Sequence, residues 1–180
     1  MTYIKEYVSP IGTIYMRSDG EYLTGLWFKD SKDALKHIGD YQEKDLQIFH
    51  DTIKWLELYF SGRIPEFTPL YKIDNLTPFR KQVIDIMNKI PYGVTITYND
   101  IAKEIAKTKG IPKMSAQAVG GAVGWNPICI IIPCHRVVGK NGNLTGYGGG
   151  IETKVKLLEI EKNDIQKYHM PKKGKLKGSN

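Results

Sequence analysis

Apolar and polar positions follow one rhythm up to about residue 75 and another after it. In the first stretch, Tyr3 to Tyr7 reads as a short β-segment. Ile11 to Arg17 leads into Asp19-Gly20, and Tyr22 to Phe28 follows, so two apolar runs flank an Asp-Gly turn and predict a hairpin. From Leu46 to Phe60 the apolar residues Ile48, Phe49, Ile53, Leu56 and Phe60 recur at helical spacing, and Ser61-Gly62 ends the helix. A proline-containing linker runs from Phe67 to Pro78.

The second stretch reads as mostly helical. Thr77 is placed to cap a helix with Pro78 at its first position, and Phe79, Val83, Ile86, Met87 and Ile90 form its apolar face. Thr97 caps the next helix, with Ile101, Ile105 and Ala106 inward. After Lys109-Gly110-Ile111-Pro112, Ser115 caps a helix of small residues, Ala116 to Ala122, which makes a helix-turn-helix pattern. Paired glycines weaken a helix by about 1 kcal/mol each relative to alanine. Small residues there fit either tight packing against a neighbouring helix or a face laid against a nucleic-acid backbone. Asn126-Pro127 then opens an apolar run, Ile128 to Ile132, read as a strand ending in Pro133-Cys134-His135-Arg136. A turn at Gly139–Asn143 and a glycine-rich loop at Gly146–Gly150 precede a last helix, Ile151 to Lys162, with Ile151, Val155, Leu157 and Leu158 inward. Residues 167–180 hold five lysines and no acid and are expected to be disordered. The expected organisation is α/β. It comprises a small mixed or antiparallel sheet with a helix over 1–75, a mostly helical domain over 76–166, and a basic tail.

Charge changes this picture more than composition does. Residues 1–75 carry 9 Lys+Arg and 12 Asp+Glu, a net of −3; residues 76–180 carry 17 and 7, a net of +10. A basic half fits a polyanion partner, but on charge alone a solvated lysine-rich surface is the reading ahead of it. No apolar run approaches the roughly 20 residues that span a bilayer, and the N-terminus lacks a signal-peptide pattern. A cytoplasmic protein with two free thiols and no membrane partner is expected. His37, His50, His135 and His169 are scattered with no zinc-ligand spacing, so no metal site is expected.

The chemistry concentrates at Cys134. A thiol attacks only as thiolate, so it needs a base or a positive environment at neutral pH. His135 is the adjacent base. Neighbours on a strand face opposite ways, so either the backbone turns sharply at Pro133-Cys134 or a water carries the proton. Glu161, near the end of the last helix, is the favoured orienter of the imidazole, ahead of Glu159. From spacing alone a structural Cys-His pair and a catalytic one both remain open. Cys129, inside the apolar run, reads as a buried, strand-borne small hydrophobe.

Pro133-Cys134-His135-Arg136-Val137, together with Ala118–Ala122, Asn126-Pro127 and Gly146–Gly149, resembles the motif array of the O6-alkylguanine-DNA alkyltransferases. The resemblance covers residues 76–162 strongly and 1–75 loosely, through Ser9-Pro10-Ile11-Gly12 and the helix that follows. It implies a ribonuclease-H-like first domain and a second domain whose helix-turn-helix enters the minor groove. It further implies a monomer acting on double-stranded DNA bearing O6-alkylguanine, with O4-alkylthymine an open question. Cys134 would accept the alkyl group once and permanently, His135 would take the thiol proton through a water, and Glu161 would hold His135. Asn126 would stabilise the turn, and Tyr98 would help rotate the nucleotide out. Tyr147 would protonate the leaving purine, and the Gly148 backbone N–H would face O6. The carbonyls of Cys134 and Val137 would accept the exocyclic amine, while Arg80, Asn99 and Lys140 would meet the DNA backbone. Gln117 stands where an arginine fills the space of the flipped base in one member of the family, and Gly148 replaces a common serine. Two other readings compete. A flipping sensor would lack the cysteine, and a Cys134-His135-Glu161 hydrolase would turn over.

Overall fold

β1 (Tyr3–Ser9), β2 (Gly12–Ser18) and β3 (Leu23–Phe28) form an antiparallel meander in that order. The Asp19-Gly20 turn closes as its sequence predicts: Asp19 Oδ1 accepts from the backbone N–H of Glu21 and Tyr22 at 3.0 and 2.8 Å. This is a computed structural model, and it describes residues 1–32 and 34–170. β2 alternates between buried and half-buried positions, whereas every residue of β3 is buried. Both faces of β3 are therefore covered, although it is an edge strand of the sheet.

α1 (Gln47–Phe60) packs on this sheet through Ile48, Phe49, Thr52, Trp55, Leu56 and Tyr59. Ile53 and Phe60, expected inward, are only half-buried. Trp55 and Tyr59 stack at 5.4 Å and 7° and occupy the inward stripe instead. Large aromatic surfaces gain most from burial, so they set the helix's rotation.

The chain divides into two compact units: Met1–Asn75 with Pro127–Ile131, and Leu76–Asn126 with the chain from Ile132 onward. The short excursion corrects a sequence expectation. Ile128 to Ile132 is no strand, and only Ile128 forms a β-bridge, to Leu26. Leu26 N–H donates to Pro127 O at 2.9 Å, and Cys129 N–H donates to Leu26 O at 3.0 Å. The chain then turns through Ile130, whose φ of +71° is rare for a β-branched residue. Apolar runs signal burial, and here the burial belongs to a turn fastened to β3's edge. Cys129 is accordingly half-buried in that turn, not strand-borne.

In the second unit α2 (Pro78–Met87), α3 (Tyr98–Lys109) and α4 (Ala116–Gly124) pack on one another. Each starts at its predicted cap. Thr77 Oγ1 accepts from Arg80 N–H, Thr97 and Asp100 form a reciprocal capping box, and Ser115 Oγ accepts from Ala118 N–H. Gly110, at φ +66°, ends α3 in the left-handed conformation that glycine reaches without strain. Ile84 joins Val83, Met87 and Ile90 in the core, while Phe79 and Ile86 are half-buried. β4 (Ile96–Thr97) pairs in parallel with β5 (Val137–Val138), and α5 (Ile151–Ile160) closes the unit. On α5 the buried residues are Lys154, Leu157 and Leu158, and the expected Ile151 and Val155 are half-buried. Of the tail read from residue 167, His169 N–H donates to Gly142 O and Leu144 N–H to His169 O, so its first residues pair with the 142–144 loop. Residues 171–180 lie outside the described residues. No helix among the described residues is long and apolar enough to cross a membrane.

Candidate active site

Cys134 opens a single 3-10 turn, Cys134–Arg136, between Pro133 and β5. The backbone turns sharply here, so Cys134 and His135 are not strand neighbours facing opposite ways. Arg136 N–H donates to Pro133 O at 3.0 Å, and Val137 N–H donates to Cys134 O. Three successive side chains therefore fan out instead of alternating across a strand. Asn126 supports the approach to this turn, its Nδ2 donating to Ile132 O at 2.9 Å. Cys134 is buried and His135 fully so.

His135 Nε2 pairs with Glu161 Oε2, the acid favoured as its orienter. Two further donors reach the same carboxylate and were not read from sequence: Arg136 Nε at 2.6 Å and Gly93 N–H at 3.1 Å, both on Oε1. Arg136 is fixed in turn by Nη1 donating to Ile90 O at 2.8 Å. Burial alone would raise the Glu161 pKa. The hydrogen bonds and charges of His135 and Arg136 outweigh that and hold it at about 2. Burial lowers the His135 pKa, opposed by Glu161, which favours the neutral ring. A neutral imidazole that donates from Nε2 to a carboxylate has Nδ1 as its proton-accepting nitrogen.

Lys154 is a further residue that sequence reasoning missed. It is fully buried, and its Nζ donates to Val137 O at 2.6 Å and to Thr145 O at 3.2 Å. Burial brings its pKa down to about 8, opposed by the nearby Cys134. A lysine on an amphipathic helix normally reads as solvent-facing, and the only available signal was its place one turn before Leu157-Leu158. The half-buried Tyr98, at the start of α3, donates its hydroxyl to Thr145 O at 3.0 Å. Burial, then the neighbouring Cys134, pushes its pKa up to about 12. Cys134, Lys154 and Tyr98 thus share one neighbourhood with the 137 and 145 carbonyls. Val137, whose carbonyl was read as a base acceptor, already receives Lys154 there, and a carbonyl oxygen has a second lone pair. Tyr147 is half-buried with its hydroxyl inside, and Gly148 is exposed with open space around an added Cβ. The serine common at that position would fit.

The remaining residues lie on the surface of the second unit. Asn99, Gln117 and Lys140 are exposed and Arg80 is half-buried. On α4 the small residues Ala116, Ala118, Gly121 and Gly124 face outward, and a Cβ added to Gly121 or Gly124 would meet nothing. Tight helix packing is therefore not what Gly121 and Gly124 serve, whereas Gly120 is half-buried and a Cβ there would touch the Tyr98 ring of α3 at 3.9 Å. No cluster of metal-ligating side chains occurs among the described residues.

Residues 78–163 match the model of the 6-O-methylguanine DNA methyltransferase DNA-binding domain, and residues 2–71 match that of its ribonuclease-like domain. A methylated-DNA–protein-cysteine methyltransferase of Haemophilus influenzae is 38% identical over 89% of this chain and 86% of its own length. One from Methanosarcina acetivorans is 40% identical over 88% and 97%. The crystal structure of Mycobacterium tuberculosis OGT in complex with DNA aligns with a TM-score of 0.76 at 37% identity, covering 92% of this chain and 94% of that one.

Proposed function

The chain belongs to the 6-O-methylguanine DNA methyltransferase family, enzymes of DNA repair by alkyl transfer to a protein cysteine; from that premise we propose that Cys134 takes the alkyl group from O6 of guanine in a single irreversible turnover. The observation that carries this reading is the buried Glu161 carboxylate binding both His135 and Arg136, the two residues that follow Cys134 in its turn.

The alkylated O6 lies within the base stack, so the nucleotide must leave the duplex before sulfur can reach it. α3 and α4 serve as a helix-turn-helix, with the small outward face of α4 against the minor groove. Tyr98 assists rotation, and Gln117 stands in for the base. Arg80, Asn99 and Lys140 meet the backbone. In the pocket, Cys134 O and Val137 O accept the exocyclic amine, and Gly148 N–H faces O6.

His135, its neutral form favoured by burial, takes the Cys134 proton through a water, and Glu161 stabilises the resulting imidazolium. The positive charge of Lys154 favours the thiolate in the same neighbourhood. Sγ attacks the alkyl carbon in line as the carbon–O6 bond breaks and its electron pair passes to the purine. Tyr147 neutralises that charge by donating its proton. The product is a thioether, which offers no leaving group, so the protein is consumed. No cofactor enters the reaction. The chain acts as a monomer on double-stranded DNA.

Intact mass spectrometry after incubation with O6-methylguanine duplex tests this. One methyl's mass should appear, stoichiometrically and permanently, on the peptide holding Cys134. Cys134→Ala should gain no mass and still bind DNA. Repair of many equivalents of DNA per protein refutes the proposal. A matched duplex carrying O4-methylthymine decides that substrate in the same assay.

A further inference from the structure

Arg80 and Trp125 form a close stack in the second unit, with the guanidinium carbon 4.0 Å from the indole centroid. Arg80 lies in the first turn of α2 and Trp125 caps the C-terminus of α4. Both are half-buried, so the pair sits at the surface with one side covered. Trp125 is itself anchored, its backbone N–H donating to Gly121 O at 3.1 Å. A guanidinium held over an aromatic ring gains cation–π attraction without spending an N–H donor on it. It also gives up part of its rotamer freedom before any ligand arrives. The flanking sequence is poor in acids, and Asp85 of α2 is paired with Lys81. Neither α2 nor α4 has an acid in its first turn, and the chain has no acid at all between Glu104 and Glu152 while carrying five Lys+Arg there.

We propose that Trp125 is a positioning residue for DNA binding, holding Arg80 as a preformed clamp for one backbone phosphate. The proposal rests on the functional reading above and adds a residue to it. Trp125 itself need not touch the nucleic acid. It removes the ordering cost that a free arginine would meet on gripping phosphate through paired N–H donors.

A double-mutant cycle on the full chain tests it, reading the affinity for an undamaged duplex by fluorescence anisotropy between about 50 and 200 mM salt. Arg80→Ala should lower the slope of log K against log salt by about 0.9, the signature of one lost phosphate contact. Trp125→Leu, which keeps apolar bulk but no ring, should weaken binding about threefold to tenfold with Arg80 present. It should change nothing further in the Arg80→Ala background, and Trp125→Phe should recover most of the loss. Additive effects, or an unchanged slope in Arg80→Ala, would overturn the proposal. Should Trp125→Leu fail to fold, Arg80→Lys decides: it keeps the charge but not the planar stack, so wild-type affinity from it refutes the clamp. The wild type is assayed beside these for methyl uptake. A wild type that shows the coupling but takes no methyl refutes the transfer reading and leaves the clamp standing.

Discussion

At Glu161 an imidazole, a guanidinium and a backbone N–H converge on one buried carboxylate. Its pKa of about 2 lies below the ordinary value of 4.5, so the folded state binds fewer protons than the unfolded one. The stability it contributes is complete above about pH 4.5 and is lost as pH falls through about 2. The melting temperature of Glu161→Gln should vary less with pH over that window than the wild type's. The same variant should transfer alkyl about a hundredfold more slowly in single-turnover assays, because the imidazolium loses its counter-charge. Lys154 has the opposite charge and the same direction of shift. Its pKa of about 8 lies below the usual 10.5, so the unfolded chain binds more protons between those values, and its contribution to stability rises with pH there. Differential scanning calorimetry of wild type against Lys154→Met should show that rise only in the wild type. At pH 7 the variant should lose about 1–3 kcal/mol for the Val137 carbonyl deprived of this donor, while Thr145 O keeps the Tyr98 hydroxyl.

At the scale of elements, local chemistry at the helix starts is the dependable part. Thr97 illustrates it, since its hydroxyl and the Asp100 carboxylate each satisfy an otherwise open backbone N–H. Thr97→Ala should cost about 1 kcal/mol in urea denaturation. It should also slow transfer, because Tyr98 is the first residue of the helix that Thr97 caps. The inward face of each helix was less legible. On α1 a stacked Trp55–Tyr59 pair turned the stripe, and on α5 a lysine lies where a polar residue signals solvent.

For the molecule as a whole, the first unit is discontinuous in sequence. Ile128 is fully buried there, and its flanking backbone is bonded to Leu26. A chain beginning at residue 76 would carry Ile128 and Ile130 without β3 to cover them. Such a fragment should melt at lower temperature than the full chain and aggregate more readily, as circular dichroism and light scattering would show. Fragment melting equal to the full chain's would mean that Pro127–Ile131 contributes little where it lies.

Turn and cap signals are local, acting over three or four residues, and they appeared in the sequence where they act: Asp19-Gly20, Thr77-Pro78, Thr97, Ser115 and Gly110. The thiol and its imidazole neighbour were legible because they are adjacent, and Glu161 because a buried imidazole calls for an orienter. What depends on which distant segment meets which was not legible. The apolar run before Cys134 carried the same hydrophobic signal whether it formed a strand or a turn, and only β3's edge decided between them. Arg136 and Gly93 on Glu161, Lys154 under two carbonyls, and Trp125 beneath Arg80 are contacts across 9 to 68 residues of chain. No periodicity encodes these contacts, since each arises from packing geometry set by the whole unit.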